Sequence, residues 1–237
     1  MKIISKSVEQ SYLRPCVSPI VGLPGAHFHT ELMSVTNKHT DAPDYLRQLA
    51  LEVIDGIPSD AILIYTDGSK DELNNTGSGV FIESLSVQLS RRNPDNCSVF
   101  RSELIAINEG LNTILHDTKY GDIWILTDSR SSIQYLQNWS SVCDLVGIQI
   151  ITHLKNLTKG KEVHFQWIPS HVNIHGNEAA DILAKRGCSE LPNKDFTLTY
   201  KEIFSMKKQG DRQVWITPPA HPWYCRKTPG GSLDFRG

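Results

Sequence analysis

Apolar and polar positions alternate with two different periods along the chain, and the changes of period predict the order of its secondary-structure elements. Continuous or alternating apolar runs of strand length occur at 61–66, 77–83, 86–91, 122–127 and 162–168. Apolar residues recur at the spacing of an amphipathic helix at 43–54, 99–116, 129–139, 145–157 and 177–186. The two residues Ser84-Leu85 lie between two of the strands and indicate a hairpin.

The order of these elements predicts the fold class. A hairpin makes neighbouring strands antiparallel, whereas a strand–helix–strand crossover makes them parallel, so both kinds of pairing require a mixed sheet. We therefore expect an α/β domain over 59–190, with a mixed five-stranded sheet and helices on both faces. Residues 1–58 contain several Pro and Gly breakers and predict a loosely structured lead-in with one short helix, and 191–237 predict a basic, Pro-rich tail.

Composition and charge narrow the classes of protein. No apolar run reaches the length of a membrane span, and the N-terminus lacks a signal-peptide core, so we expect an intracellular protein without a membrane partner. The 5 cysteines are scattered and odd in number, which indicates reduced thiols in the nucleus or cytoplasm and argues against a zinc site. Residues 60–190 hold 16 acidic against 11 basic residues, so a solvated acidic face or a site must account for the excess.

Four acidic residues lie at or near the ends of predicted core elements: Asp67, Glu103, Asp128 and Asp181. Each has a structural explanation on its own, as a turn residue, a residue near a helix start, a helix N-cap or a solvated helix residue. Together they place hard oxygen donors where open α/β sheets bind ligands. Such donors suit Mg²⁺ or Mn²⁺ and do not suit zinc. Two such ions about 3.5–4 Å apart can clamp a phosphodiester for attack by water.

The segments around these residues resemble a known signature. They read Thr66-Asp67-Gly68-Ser69, Arg101-Ser102-Glu103-Leu104, Thr127-Asp128-Ser129 and Pro169-Ser170-His171-Val172-Asn173-Ile174-His175-Gly176-Asn177-Glu178-Ala179-Ala180-Asp181. They resemble type 1 ribonuclease H over about 60–190, and their wording is most similar to the ribonuclease H domains of non-LTR retrotransposon polyproteins. The resemblance implies a ribonuclease-H-like fold and Mg²⁺-dependent endonucleolytic cleavage of the RNA strand of RNA–DNA hybrids, with Mn²⁺ as an alternative ion. It also implies that the four carboxylates bind the metal.

The resemblance extends to a histidine and to substrate contacts. His171 lies in the loop that carries a mobile histidine in this family, and an imidazole suits proton shuttling at neutral pH. We expect His175 to fix the start of the last helix and Glu178 to influence metal occupancy. Small polar groups near the carboxylates are the candidates for hybrid contacts, namely Gly68, Ser69, Ser102, Ser129 and Arg130. Between Asp128 and Glu162 the basic residues are few, so binding by the domain alone should be weak and salt-sensitive.

Two alternatives to an active ribonuclease H stay open. The first is a catalytically silent, nucleic-acid-binding remnant of a retroelement, although the presence of all four carboxylates and His171 argues against decay. The second is another nuclease of the same fold, such as a resolvase or transposase, which the hairpin-first order disfavours.

No Tyr-x-Asp-Asp motif, which is typical of a polymerase, occurs in 1–59. We therefore expect a retroelement fragment or an independently encoded piece, whose candidate partner is a reverse transcriptase portion encoded elsewhere. His27 and His29 are only two positions apart in the lead-in segment. No further ligands follow them at metal-binding spacing, so we expect no metal site there.

Overall fold

The computed structural model of the chain describes residues 8–9, 18, 20–36, 40–115, 121–191 and 197–216. Its strands are β1 (Ala26–His29), β2 (Ile62–Lys70), β3 (Thr76–Ile82), β4 (Val87–Arg92), β5 (Ile123–Thr127) and β6 (Val163–Trp167). Its α-helices are α1 (Pro43–Asp55), α2 (Val99–Ile114), α3 (Arg130–Gln137), α4 (Leu145–Leu157), α5 (His175–Cys188) and α6 (Tyr200–Ile216). Every strand and helix predicted from the hydrophobic periods is confirmed, and β1 and α6 are additional.

The strands form one mixed sheet in the order β1-β6-β5-β2-β3-β4. β1, β6, β5 and β2 are parallel, whereas β2, β3 and β4 form an antiparallel meander. The α/β class and the mixed sheet are thus confirmed, but the expected number of five strands is wrong, because the sheet has six. The carboxyl ends of the parallel strands meet at one edge of the sheet, where β5 is followed by Asp128.

The sixth strand comes from the segment that was expected to be a loosely structured lead-in. β1 has only 4 residues and pairs with β6 from Ala26 opposite Val163 to His29 opposite Gln166. Phe28 stacks on Phe165 with ring centroids 5.2 Å apart. On the other face, His164 lies between His27 and Trp124, at centroid distances of 4.6 and 4.2 Å. The two histidines of β1 therefore belong to a stack of aromatic rings on the sheet.

α2 and α5 pack on opposite faces of the sheet. Gly110 of α2 faces Ile64 and Val80, whose neighbours along each strand point to the other face. On that face Gly79 of β3 meets α5, and a Cβ at position 79 would overlap the carbonyl oxygen of Ala180. The missing side chain lets the helix lie directly on the strand's main chain.

The predicted tail contains a helix that is anchored to the domain. The guanidinium of Arg101 on α2 contacts the carboxylates of Glu202 on α6 at 2.9 Å and Glu9 at 3.1 Å. Val8 and Leu198 form a parallel bridge next to these contacts. Short segments from both sides of the predicted domain thus meet at α2, and the segment expected to be a basic, Pro-rich tail contains the helix α6. The Pro-rich stretch beyond this helix lies outside the described residues. Within the described residues, no helix combines the length and the hydropathy that a membrane span requires.

Candidate active site

Three of the four predicted carboxylates converge at the edge of the sheet. Asp67, Glu103 and Asp128 each offer an oxygen atom, and these atoms lie within 4.8 Å of one another. Asp128 directly follows β5, as expected, but Asp67 does not close its strand. β2 continues to Lys70 because its last residues pair with β3, and this places Asp67 opposite Gly79 in the interior of the sheet.

Close contact between β2 and α2 brings Glu103 to this set. Glu103 lies in the second turn of α2, and at the start of this helix the Arg101 amide donates to the Ser98 hydroxyl. A Cβ on Gly68 would overlap the backbone of Ser102 and Glu103, so only glycine allows the helix to approach the strand here. The side chains of Asp67 and Glu103 are both buried as a result.

Burial and mutual repulsion make this cluster difficult to ionise. Burial, and then the charges of Asp128 and Asp181, raise the pKa of Asp67 from 3.8 to about 7. Burial, and then the charges of Asp67 and Asp128, raise the pKa of Glu103 well above its usual range. The backbone N–H of Gly68 acts in the opposite direction on both pKa values, but its effect is smaller than those of burial and charge. The protein alone therefore favours protons on these carboxyl groups, and a bound cation would favour their release.

The residues of the cluster fit a divalent cation. The Glu103 Oε2 atom is buried and has no hydrogen-bond partner. A buried, unpaired carboxylate oxygen is costly, and a metal ion is one way in which proteins satisfy it. Among the described residues, no Lys or Arg forms an ion pair with Asp67 or Glu103. Three carboxylates without neutral or sulfur donors are the ligand set of Mg²⁺, Mn²⁺ or Ca²⁺.

The fourth carboxylate belongs to a second, adjacent set. Asp181 and Glu178 on α5 and His171 in the preceding loop offer ligand atoms within 4.8 Å of one another. The charge of Asp181 raises the pKa of Asp67, so the two sets lie close enough to interact. The Lys185 ammonium lies 2.6 Å from the Asp181 carboxylate, one helical turn further along α5. The second set thus has a positively charged side chain, Lys185, in direct contact with one of its carboxylates.

The two candidate histidines occupy different positions. His171 is exposed in the loop between β6 and α5 and has a φ of 57°, in the left-handed region. Its imidazole lies next to the second carboxylate set, where it can exchange protons. His175 is the first residue of α5, and its ring lies edge-on to Phe81 at a centroid distance of 5.7 Å. These positions agree with a chemical role for His171 and a packing role for His175.

The predicted substrate residues divide into buried and accessible ones. Ser102 is fully buried, and its hydroxyl donates to the Ser98 carbonyl at 3.1 Å, so its side chain does not face a ligand. Gly68 is also buried beneath α2. Ser69, Ser129 and Arg130 are partly exposed close to Asp67 and Asp128. The sequence places all five near the carboxylates, but only the fold shows which of them solvent can reach.

The sequence analysis did not identify three residues that contact the candidate site, namely Trp167, Glu31 and Lys185. The Arg130 guanidinium lies 4.0 Å from the centre of the Trp167 ring, and it forms a 3.4 Å ion pair with Glu31. The Trp167 indole also donates to the main-chain oxygen of Asp128 at 3.2 Å. The spacing of Lys185 four residues after Asp181 could have been recognised as a helical ion pair. The contacts of Trp167 and Glu31 had no such signal, because they join segments distant in the sequence.

Comparisons with known proteins point to one family. A family model described as RNase H matches residues 59–189. The chain is 30% identical to ribonuclease H of Schizosaccharomyces pombe over 154 residues, which is 56% of this chain and 54% of that protein. It is 29% identical to ribonuclease HI of Pseudomonas aeruginosa over 145 residues, which is 55% of this chain and 95% of that protein. It is also 29% identical to the Pol polyprotein of equine infectious anemia virus over 134 residues, 54% of this chain and 10% of that protein.

These matches have a limited extent. The chain spans about half the length of the yeast relative and a tenth of the viral polyprotein. The relatives described above are cellular ribonucleases H and a viral Pol polyprotein, so they bear out the ribonuclease H resemblance without its non-LTR retrotransposon part. The matched region contains both carboxylate sets and ends before α6.

Proposed function

Because the chain belongs to the ribonuclease H family through residues 59–189, we propose that it is an endonuclease that hydrolyses the RNA strand of RNA–DNA hybrids. The observation that carries the proposal is the convergence of Asp67, Glu103 and Asp128 within 4.8 Å, next to the set of Asp181, Glu178 and His171. The names of the cellular relatives support the same activity.

The two carboxylate sets would hold the divalent ion or ions on which the family depends. Asp67, Glu103 and Asp128 would be the main ligands, with Asp181 beside them, and Mg²⁺ is the proposed ion with Mn²⁺ as the alternative. When bound, such ions neutralise the scissile phosphate and lower the pKa of the attacking water. The buried Glu103 oxygen would gain a partner, and the raised pKa values of Asp67 and Glu103 would fall.

Groups at the rim of the cluster would handle protons and hold the substrate. His171 is exposed and can accept a proton from water or donate one to the leaving oxygen, which yields 3′-hydroxyl and 5′-phosphate ends. The Arg130 guanidinium lies 4.0 Å from the centre of the Trp167 ring, and Arg130 follows Asp128 by two residues, so it would contact a phosphate of the substrate. Ser69 and Ser129 are the accessible small polar residues for contacts to 2′-hydroxyls.

A cleavage assay tests the activity. The protein is incubated with an end-labelled RNA–DNA hybrid, double-stranded DNA, double-stranded RNA and single-stranded RNA, each with Mg²⁺, with Mn²⁺ and with EDTA. We expect cleavage of the hybrid's RNA strand alone, and only with a divalent ion. Binding of the hybrid without cleavage under every ionic condition would instead support the catalytically silent remnant.

The retroelement origin and the partner are separate proposals. They rest on the wording of the sequence motifs, and the similarity to a viral Pol polyprotein is compatible with them. We propose a reverse transcriptase portion encoded elsewhere as the partner, acting on the same hybrid in the nucleus or cytoplasm. A pull-down with this chain as bait, from cells that express such a protein, tests the association.

A further inference from the structure

α6 carries a row of basic side chains that have no ion-pair partner in the described part of the chain. Lys201, Lys208 and Arg212 are spaced seven and four residues apart, so they lie on one face of the helix. All three are exposed, and none forms an ion pair with another described residue. By contrast, Lys207 lies on a different face and is paired with Asp211 at 2.6 Å. The basic row therefore contributes uncompensated positive charge.

An exposed pair of aromatic rings lies beside the basic row. Tyr200 is 70% exposed and Phe204 is 55% exposed, and their ring centroids lie 6.2 Å apart. The two residues are four positions apart and share a helical face adjacent to that of Lys201 and Lys208. Large aromatic side chains left this open to solvent are typical of a binding surface.

A groove lies beside this surface, and one of its lining residues is Lys70, which follows Asp67 closely in the sequence. It has a volume of about 540 Å³ and is lined by α6, the start of α2, Tyr135 and the end of β2. Lys201 and Lys70 both line the groove. Lys70 is three residues beyond Asp67, which is about 10 Å along a strand. A polymer bound at the carboxylates can therefore continue into the groove within a few monomers.

The lining of the groove balances acidic and basic residues, and the excess of positive charge lies on α6 beside it. Its acidic lining residues are already engaged, Glu9 and Glu202 by Arg101 and Asp144 by the Tyr135 hydroxyl and the Gly147 amide. Lys70 and Lys201 form no ion pair with described residues, and Lys208 and Arg212 extend the same charge along α6. Cations spaced along a surface beside aromatic faces are the usual features of single-strand nucleic-acid binding.

We propose that α6 binds single-stranded nucleic acid that continues from the hybrid held at the carboxylates. The basic row would contact phosphates, and Tyr200 and Phe204 would stack on unpaired bases, which a duplex does not offer. The link to the hybrid rests on the proposed function, whereas the binding itself does not. This surface would supply the positive charge that the segment between Asp128 and Glu162 lacks, and it lies outside the region that matches the family.

Fluorescence anisotropy tests the proposal on the full chain in EDTA, where binding is read without cleavage. The two probes are a blunt RNA–DNA hybrid and the same hybrid with a single-stranded extension of about ten nucleotides. One variant, Lys208→Gln with Arg212→Gln, removes two charges of the basic row. A second, Tyr200→Leu with Phe204→Leu, removes the aromatic faces. The matched control, Lys155→Gln with Lys159→Gln, removes two exposed charges near the opposite edge of the sheet.

We expect the extension to tighten binding by the parent protein and by the control. The aromatic variant should weaken binding of the extended probe by about fivefold or more, the effect of losing one stacked base. The basic variant should reduce the slope of log affinity against log salt by about 1.4, since each single-strand phosphate contact contributes about 0.7. Both variants should bind the blunt probe nearly as the parent does.

Three results would overturn the proposal: no effect of the extension, equal behaviour of the α6 variants and the control, or an equal loss on the blunt probe. The last result would assign α6 to duplex binding. Thermal midpoints of all variants show whether each is folded, and the two α6 variants test the surface independently. Failure of the proposed function appears separately, as absence of hybrid cleavage with Mg²⁺ by a parent protein that still prefers the extended probe.

Discussion

Arg101 of α2 and Glu202 of α6 form a 2.9 Å ion pair in which the two side chains are only 3% and 6% exposed. Glu202 also accepts hydrogen bonds from the Ser98 and Thr199 amides, at 2.8 and 2.9 Å, so its charge is well satisfied. These amide contacts, followed by the charge of Arg101, offset burial and hold the pKa of Glu202 below its ordinary value. The pair therefore attaches a helix outside the family match to the helix that carries Glu103, one of the candidate site carboxylates.

Glu202→Gln should destabilise the protein by about 3 kcal/mol, because it leaves part of the charge of a buried guanidinium unpaired. The matched control is Asp211→Asn, which breaks the exposed pair with Lys207 and should cost less than about 1 kcal/mol. Denaturant unfolding of the three proteins measures the difference. Equal unfolding free energies for Glu202→Gln and the parent would show that the contact is not maintained in solution.

A chain restricted to residues 59–190 should fold but should be less stable than the full chain. It retains five of the six strands, and it loses β1 together with both carboxylates that contact Arg101. We expect one cooperative transition with a lower thermal midpoint, measured by circular dichroism. A non-cooperative transition would contradict the proposed domain boundary, because it would make the flanks part of the folding unit. An unchanged midpoint would instead contradict the expected contribution of the flanks to stability.

Asp128→Asn should abolish hybrid cleavage and leave the fold intact. The substitution removes the charge that metal ligation requires, and the Trp167 indole contacts the main-chain oxygen at this position, which does not change. Cleavage of a labelled hybrid with Mg²⁺ and the thermal midpoint are measured together. Full activity in this variant would exclude Asp128 from the metal site. Asp122→Asn, at the opposite edge of the sheet, is the control for loss of one carboxylate.

His171→Ala should lower turnover by a factor on the order of 10²–10⁴, the usual contribution of a general acid or base. Because φ at this position is 57°, His171→Asn provides the control for backbone strain, since asparagine tolerates this region. His175→Ala should instead lower the thermal midpoint, through loss of its contact with Phe81, more than it lowers the rate. The opposite pattern would assign the catalytic role to His175.

The metal-free protein should lose stability as the pH rises from about 4 to 7. The pKa of Asp67 is about 7 in the folded protein against 3.8 for an ordinary aspartate, so in this window the folded state binds more protons than the unfolded state. Stability is then highest below the lower value and falls until Asp67 is ionised. Addition of Mg²⁺ should raise the thermal midpoint more at pH 8 than at pH 5, because the ion binds the deprotonated carboxylates.

Thermal midpoints across this range, in EDTA and in Mg²⁺, check the expectation. Asp67→Asn should flatten the pH dependence in EDTA, and it should reduce the effect of the ion. A midpoint in EDTA that rises between pH 4 and 7, equally in the parent and the variant, would contradict the assigned cause.

The sequence was sufficient for those parts of the fold that depend on local periodicity. α4 was predicted with its observed bounds, Leu145–Leu157, because its apolar spacing is regular and Asp144 caps its start. β1 was missed, because its 4 residues include two histidines that resemble a polar loop until His164 and Trp124 are seen beside them. α6 was missed because its single buried charge, Glu202, is stabilised by residues about 100 positions away.

In the candidate site, too, the features that depend on local sequence could be predicted, whereas those that depend on tertiary packing could not. Asp67, Glu103 and Asp128 could be predicted because each lies in or next to a recognisable element, and motif spacing marked Asp181 and His171. Accessibility could not be predicted. Ser102 was expected to contact the substrate because it adjoins Glu103 in the sequence, but its hydroxyl is buried and donates to the Ser98 carbonyl. Which side of a helix faces solvent near its first turn depends on the strands and segments that pack on it, and this packing is a tertiary property.

The absence of a side chain at Gly79 determines how closely the two carboxylate sets approach each other. Gly79 is paired with Asp67 across the β2–β3 ladder, and on its other side it contacts the carbonyl of Ala180, the residue before Asp181. The gap between the two carboxylate sets is therefore spanned by one strand backbone and one helix backbone, without a flexible side chain in between. A single methyl group at position 79 would overlap the Ala180 carbonyl and push α5 with its carboxylates outward, although it would touch none of the candidate ligands. The distance between the two carboxylate sets is thus set by the contact of two polypeptide backbones.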